Sequence, residues 1–201
     1  MTRTHMSFDG VEQPRSGRSL RTGPAGTMAM NIGTKPTLME VGKMRFLIMD
    51  APRQGNLHLY IKEMRKNSVS AVVRVCEPTY QSAELESAGI SLHDMEYPDG
   101  HSPPKEIIDD WLQLVDKTFF GQGTAQDGTC IAVHCVAGLG RAPVMVAIAF
   151  VEFANMDPVE AVTLIRRHRR GAINEKQLLY LEGYKKCWKG GGGDSSCCVI
   201  L

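Results

Sequence analysis

The stretch Ile131-Ala132-Val133-His134-Cys135-Val136-Ala137-Gly138-Leu139-Gly140-Arg141-Ala142-Pro143 decides how the rest of the chain reads. Cys130 to His134 is a short apolar run, which predicts a buried strand. Ala142 to Asn155 is almost wholly apolar, which predicts a helix buried on all sides. Gly138 and Gly140 sit in the loop between them, so a buried strand delivers a cysteine and a buried helix begins at an arginine. Such a turn makes a nest of backbone N–H groups at a helix N-terminus, which is an anion site. The N–H groups of Val136, Ala137, Gly138, Leu139, Gly140 and Arg141 can point at the equatorial oxygens of one phosphate. Arg141 adds a planar fork that holds two of those oxygens at once, a match Lys cannot make. The same positive field stabilises Cys135 as its thiolate. A thiolate at the bottom of a phosphate cradle can attack phosphorus in line, which is covalent catalysis through phosphocysteine. His134 would support the loop by hydrogen bonding.

A departing alkoxide or phenoxide needs a proton, so a carboxylic acid is expected above the cradle. Asp99, within Tyr97-Pro98-Asp99-Gly100, is the best candidate because Pro and Gly flank it on a loop at a strand's end. Asp94 lies nearer the strand, and Asp109 and Asp110 lie on a helix, where structural roles suit them better.

Outward from this stretch the chain alternates strand and helix. Met44 to Met49 reads as a strand with Leu38 to Val41 as its hairpin partner. Asn56 is placed to cap a helix carrying Leu57, Ile61 and Met64. Ala71 to Cys76 is a second β-branched run, followed by a short helix through Glu84 to Ser87 ending at Gly89. Ile90 to Tyr97 reads as strand, Pro103-Pro104 starts a helix with Ile107, Ile108, Trp111, Leu112 and Val115 inward, and Gly121 to Gly128 reads as loop. Asp157-Pro158 opens a helix through Val159 to His168, and Asn174 opens the last, with Leu178, Leu181 and Trp188 inward. This order predicts an α/β sheet with helices on both faces. Residues 1–36, rich in Gly, Pro, Ser, Thr and Arg, read as a solvated extension, 37–189 as the folded domain, and 190–201 as a Gly-rich tail.

Composition narrows the classes. With 201 residues, 43% of them hydrophobic, the chain can bury a core. No apolar run approaches the ~18–20 residues that span a bilayer, and the first 33 residues hold no apolar segment of the secretory-signal kind. Arg3, Arg15, Arg18 and Arg21 hint at a mitochondrial presequence, but Asp9, Glu12, Pro14 and Pro24 spoil the amphipathic helix it needs. A formal charge of +1 argues against a general nucleic-acid binder. Six unevenly spaced cysteines point to a reducing compartment and individual thiol roles rather than a disulfide scaffold. A dinucleotide fingerprint at Gly138-x-Gly140 fails because its third position is Pro143 and the next element is a helix. A cysteine protease offers no reason for Arg141, and a metal site at Cys130, His134 and Cys135 lacks a fourth ligand.

His134-Cys135-(five residues)-Arg141 is the signature of the protein tyrosine and dual-specificity phosphatases, and Val-Ala-Gly-Leu-Gly-Arg-Ala-Pro resembles the phosphatase-of-regenerating-liver family, also called type IVA. Val73-Arg74-Val75-Cys76-Glu77, Arg169-Arg170-Gly171-Ala172-Ile173-Asn174 and Gln177-Leu178-Leu179-Tyr180-Leu181 look like the same family. The resemblance covers about Thr37 to Trp188 plus the last residues. It implies a phosphatase fold with a mostly parallel sheet of about five strands, phosphotyrosine protein or phosphoinositide substrates, and no cofactor or metal. Ala142 stands where most tyrosine phosphatases carry Ser or Thr, so slow hydrolysis of the phosphoenzyme is expected. Met95-Glu96 replaces the usual Trp-Pro of the acid loop. The resemblance further implies a reversible disulfide between Cys76 and Cys135 that protects the nucleophile, while Cys130 and Cys187 read as packing residues. It also leaves room for a homo-oligomer.

Cys198-Val199-Ile200-Leu201 fits a prenylation box whose final Leu favours geranylgeranyl. Stable anchoring needs a second signal, for which acylated Cys197 or a basic segment would serve. Residues 166–189 hold Arg166, Arg167, Arg169, Arg170, Lys176, Lys185, Lys186 and Lys189 against Glu175 and Glu182, a net +6. The arm from Gly190 to Cys197 reaches about 16 Å, enough to let that segment meet anionic lipid. The expected location is the cytoplasmic face of plasma and endosomal membranes, with a cytosolic pool. The competing expectation is a binding module that uses the phosphate pocket to grip the regulatory domains of CNNM-type magnesium transporters, as family members do.

Overall fold

The computed structural model describes residues 31–121 and 128–189. Most of the expected extension 1–36, most of the expected loop 121–128 and the whole of the expected tail 190–201 lie outside the described residues. The elements follow the expected alternation: β1 (Thr37–Val41), β2 (Met44–Met49), α1 (Leu57–Lys66), β3 (Val69–Arg74), α2 (Ala83–Ser87), β4 (Ser91–Asp94), α3 (Lys105–Phe119), β5 (Cys130–His134), α4 (Arg141–Phe153), α5 (Pro158–His168) and α6 (Glu175–Glu182).

The five strands form one mixed sheet in the order β1-β2-β5-β3-β4. Only the β1–β2 hairpin is antiparallel; the other pairs are parallel. Strand alternation sends side chains to two helical layers. Phe46, Ile48, Ile131 and Val133 enter the larger core beneath α3–α6. Leu47, Met49, Cys130 and Ala132 enter the smaller one beneath α1 and α2. In the larger core the Phe46 ring meets Trp111, Phe119 and Phe150 at 5.4–5.8 Å between centroids. Trp111 finds a partner for its buried donor in Met145 O, 2.7 Å away, which pins α3 to α4.

Several boundaries differ from expectation for identifiable reasons. Asn56 occupies the N-cap position of α1, yet its Oδ1 accepts from Arg53 N at 2.7 Å and caps nothing in α1. The strand expected over Ile90–Tyr97 stops at Asp94, because the chain turns so that Tyr97 can reach α4. The strand expected to run to Cys76 stops at Arg74. α6 ends at Glu182, well short of Trp188; beyond it, Glu152 of α4 accepts from Tyr184 Oη, Cys187 N and Trp188 N and holds an irregular segment in its place. Residues 33–35, expected in the extension, are tied to the domain: Gly33 N donates to Tyr60 Oη, Thr34 N to Asp50, and Lys35 O accepts from Arg169.

Candidate active site

β5 is the central strand, flanked by β2 and β3, so its carboxyl end lies at the middle of the sheet. Register puts Met49, His134 and Arg74 side by side at that edge. The next residue, Cys135, is 3% exposed and opens the loop that enters α4. The four carbonyls from Val136 to Leu139 each have a partner outside the loop. Val136 O accepts from Ala51 N at 3.0 Å and Leu139 O from Ile173 N at 2.7 Å. Gly138 O accepts from Arg169 Nε at 2.6 Å, and Ala137 O from Arg169 Nη2 at 3.3 Å. In a trans peptide the N–H opposes the C=O. Carbonyls held outward therefore turn the N–H groups of Ala137, Gly138, Leu139 and Gly140 inward, where the first-turn donors of α4 join them.

Two side chains that the sequence reading did not single out build this loop. Arg169, counted there among surface cations, is 6% exposed; besides the two loop carbonyls it donates to Lys35 O, Thr37 Oγ1 and Thr34 Oγ1. Gln177, 1% exposed, shares a capping box with Asn174 at the start of α6. Its carboxamide lies beside Gly140, and its Nε2 has no hydrogen-bond partner among the described residues. Asn174 was legible as a helix start, but nothing local shows that Gln177 abuts residue 140. Gly138 takes φ +67°, and a Cβ there would stand 2.3 Å from Met49 O.

Arg141 is 1% exposed and locked to Tyr97 in both directions. Arg141 Nη1 donates to Tyr97 O at 2.9 Å, and Tyr97 Oη donates to Arg141 O at 3.0 Å. Asp99 therefore arrives at the cradle through its neighbour: its Oδ1 is 3.3 Å from Arg141 Nε, with the carboxylate 78% exposed. Glu77 Oε2 stands 3.9 Å from Arg141 Nη1. Arg141 Nε forms an ion pair there without a hydrogen bond, so the guanidinium keeps donor capacity facing the two acids. Of the four aspartates considered, Asp99 is brought to Arg141. Asp94 is the bidentate partner of buried Arg74, at 2.5 and 2.9 Å, and Asp109 pairs with Lys105.

His134 is fully buried, and burial pushes its pKa down to about 4. Its Nε2 lies 2.7 Å from Tyr80 Oη, whose own pKa burial raises. The assignment that satisfies both rings has the Tyr80 hydroxyl donating to Nε2, with Nδ1–H turned toward the Cys135 main chain. Cys76 Sγ is 4.0 Å from Nδ1. Its thiol is pushed up to about 11 by burial, against the pull of Arg141, with Cys135 adding to the rise. Cys76 and Cys135 are both free thiols here. Cys130, buried among β-strands, is pushed up to about 12 by burial, as an inert packing thiol would be. Cys187 is half-buried beside Tyr184. Cys197, Cys198 and the segment Gly190 to Gly193 lie outside the described residues. The basic segment is less uniform than its sequence: Arg166 donates to Ala172 O and Ile173 O, and Arg169 is buried, so these two are structural. No helix among the described residues is long and apolar enough to cross a membrane.

Such an arrangement can bind a tetrahedral dianion, hold a thiolate beneath it and present a carboxylic acid above it. A family profile described as "Polymorphic toxin system, DSP-PTPase phosphatase" matches residues 48–154. Among solved structures, a protein tyrosine phosphatase from Leishmania major superposes with a TM-score of 0.70 at 40% identity, covering 76% of this chain and all of that one. PTPMT1, at a TM-score of 0.57 and 23% identity, shares the fold. The chain is a phosphatase of the protein tyrosine phosphatase class. Its relatives narrow this. It is 45% identical over 164 residues to protein tyrosine phosphatase type IVA A of Dictyostelium discoideum, covering 82% of this chain and 93% of that one. It is 46% identical over 169 residues to type IVA 2 of Mus musculus, covering 82% and 98%. The chain belongs to the protein tyrosine phosphatase type IVA, or PRL, family.

Proposed function

We propose that the chain is a prenylated, membrane-associated phosphatase of phosphotyrosine proteins or phosphoinositides that works through a phosphocysteine on Cys135 and turns over slowly. The observation that supports the chemistry best is the loop whose Val136 to Leu139 carbonyls are engaged from outside, next to a buried cysteine. The Cys135 thiolate attacks phosphorus, a P–S bond forms and the ester P–O bond breaks as Asp99 gives its proton to the leaving oxygen. Water then attacks the phosphocysteine, its proton returns to Asp99, and the P–S bond breaks to regenerate the thiolate. Arg141 and the loop N–H groups hold the equatorial oxygens in both steps. In the second step the sulfur must leave as an anion. Ala142, fully buried at the helix start, has no hydroxyl to stabilise it, so phosphocysteine accumulates.

Cys76 is read as the thiol that captures oxidised Cys135 as a disulfide, which its position beside His134 favours. Cys198 is read as the prenylated residue and Cys197 as an additional acylation site. Arg167, Arg170, Lys176, Lys185 and Lys189 are the cations left to face anionic lipid on the cytoplasmic side of plasma and endosomal membranes.

One observation favours the second reading, a docking pocket for CNNM-type transporter domains. Asp99 already sets a carboxylate 3.3 Å from Arg141 Nε, so this guanidinium takes a carboxylate as partner. Comparing Cys135→Asp with Arg141→Ala separates the readings. Both variants lose phosphate release if the enzyme reading holds, and the cellular phenotype goes with it. If the phenotype follows partner binding and ignores turnover, the docking reading replaces it.

A further inference from the structure

On the outer side of the phosphate loop lies a cleft of about 680 Å³, walled by Thr34, Lys35, Thr37, Leu139, His168 and Arg170 and backed by Arg169. Its charge is one-sided. Glu63 is the carboxylate in its wall, and Glu63 is paired with Lys66 at 2.7 Å. Arg169 makes five hydrogen bonds, all to neutral oxygens. Among the described residues no carboxylate stands within 4.0 Å of it. Burying a guanidinium that has no carboxylate in direct contact is costly; burial pulls its pKa below the ordinary arginine value, and the more distant Asp50 offsets this only in part. The hydroxyls of Thr34 and Thr37 accept from Arg169, which leaves each hydroxyl proton to be donated elsewhere. His168 uses Nδ1 on Leu164 O, leaving Nε2 as its second polar atom.

We propose that this cleft is a second oxyanion site, separate from the catalytic cradle, that takes a phosphate-bearing polyanion of about the size of a phosphorylated inositol. The cleft is far larger than one phosphate and falls in the range of small-molecule sites. Its side chains are mostly donors, with two cations at the rim, which suits a ligand built of acceptor oxygens. A peptide would bring N–H donors that this wall answers poorly. Leu38, Leu47 and Leu139 supply an apolar surface for a ring face. Binding here adds counter-charge to the partial one that Asp50 provides from beyond 4.0 Å, and Arg169 holds the Ala137 and Gly138 carbonyls. The site therefore stiffens the phosphate loop from behind, whether or not Cys135 turns over.

The test fills the cradle with saturating orthovanadate and titrates the full chain with inositol hexakisphosphate by calorimetry. The expected result is one polyanion bound per vanadate-loaded chain. Lys35→Glu and Arg170→Glu should each weaken it about tenfold or more, the scale of a charge-assisted hydrogen bond. Lys43→Glu, the same charge change at the exposed β1–β2 turn outside the cleft, should shift it no more than about twofold in physiological salt. Thermal melts establish that the variants are folded. If either charge reversal unfolds the chain, protection of wild-type Lys35 from acetylation by the polyanion, with vanadate present, reads the same contact. Vesicles of phosphatidylcholine with a phosphoinositide distinguish the sources. Vesicle binding that free inositol hexakisphosphate displaces identifies a lipid headgroup, and binding of the soluble polyanion alone identifies a free one. The proposal fails if vanadate abolishes polyanion binding or if Lys35 and Arg170 variants bind like wild type.

Discussion

Gly138 combines φ +67° with a Cβ position 2.3 Å from Met49 O and 2.6 Å from Arg169 Nη2, whereas Gly42 has φ +57° and open space around it. Gly42→Ala should cost only the left-handed backbone strain, about 1 kcal/mol. Gly138→Ala must also move the end of β2 or break the Arg169 clamp, so a loss of about 3 kcal/mol or more is expected, together with vanadate binding. Urea unfolding of both variants checks this; equal losses would mean that the loop is not gripped from behind. At this scale the sequence offered the residues proposed to do chemistry and hid those that hold the loop around them. Cys135, Arg141 and Asp99 declare themselves by type and neighbours. Arg169 reads as one more cation in a basic run, because only the return of the chain beside β1 and the phosphate loop buries it. Tyr97 and Gln177 were hidden in the same way, since each acts across a gap of more than 35 residues.

β5 and its neighbours explain what the alternation of strand and helix could and could not show. Hairpin, helices and their inward faces were legible because each is a local pattern. Strand order is not local: β5, last in sequence, inserts between β2 and β3, and only that insertion brings Tyr80 and Cys76 to His134. The buried row has a pH signature. Folding holds the His134 pKa at about 4, below the ~6.5 of an unfolded histidine. Between those values the unfolded chain binds the extra proton, so stability is whole above pH ~6.5 and falls as pH drops toward 4, by about 3 kcal/mol from this group. His134→Gln should flatten that part of the stability–pH curve in denaturant titrations between pH 4 and 7. An unchanged slope would mean that His134 is not held neutral. Element ends were the least legible part: α6 stops at Glu182 because Glu152 offers Tyr184, Cys187 and Trp188 better partners than another helical turn.

For the whole molecule, the +1 of the sequence hides a division of labour among its cations. Arg74, Arg141, Arg166 and Arg169 hydrogen-bond within the fold, while Arg167, Arg170, Lys176, Lys185 and Lys189 are the cations proposed to face an anionic surface. With a Cys198 lipid anchor, full-length protein should sediment with membranes and Cys198→Ser should shift to the soluble fraction; a variant that stays on membranes would remove the anchor from the proposal. The proposed catalytic cycle is read most directly by rapid-quench mass spectrometry of the Cys135 peptide during turnover of an aryl phosphate. Wild type should show a leaving-group burst with most chains carrying phosphate on Cys135. Ala142→Ser should lower that fraction and speed phosphate release about tenfold or more, the effect of about 1.4 kcal/mol on the second barrier. Linear release with no phosphate on Cys135, unchanged by Ala142→Ser, would contradict it.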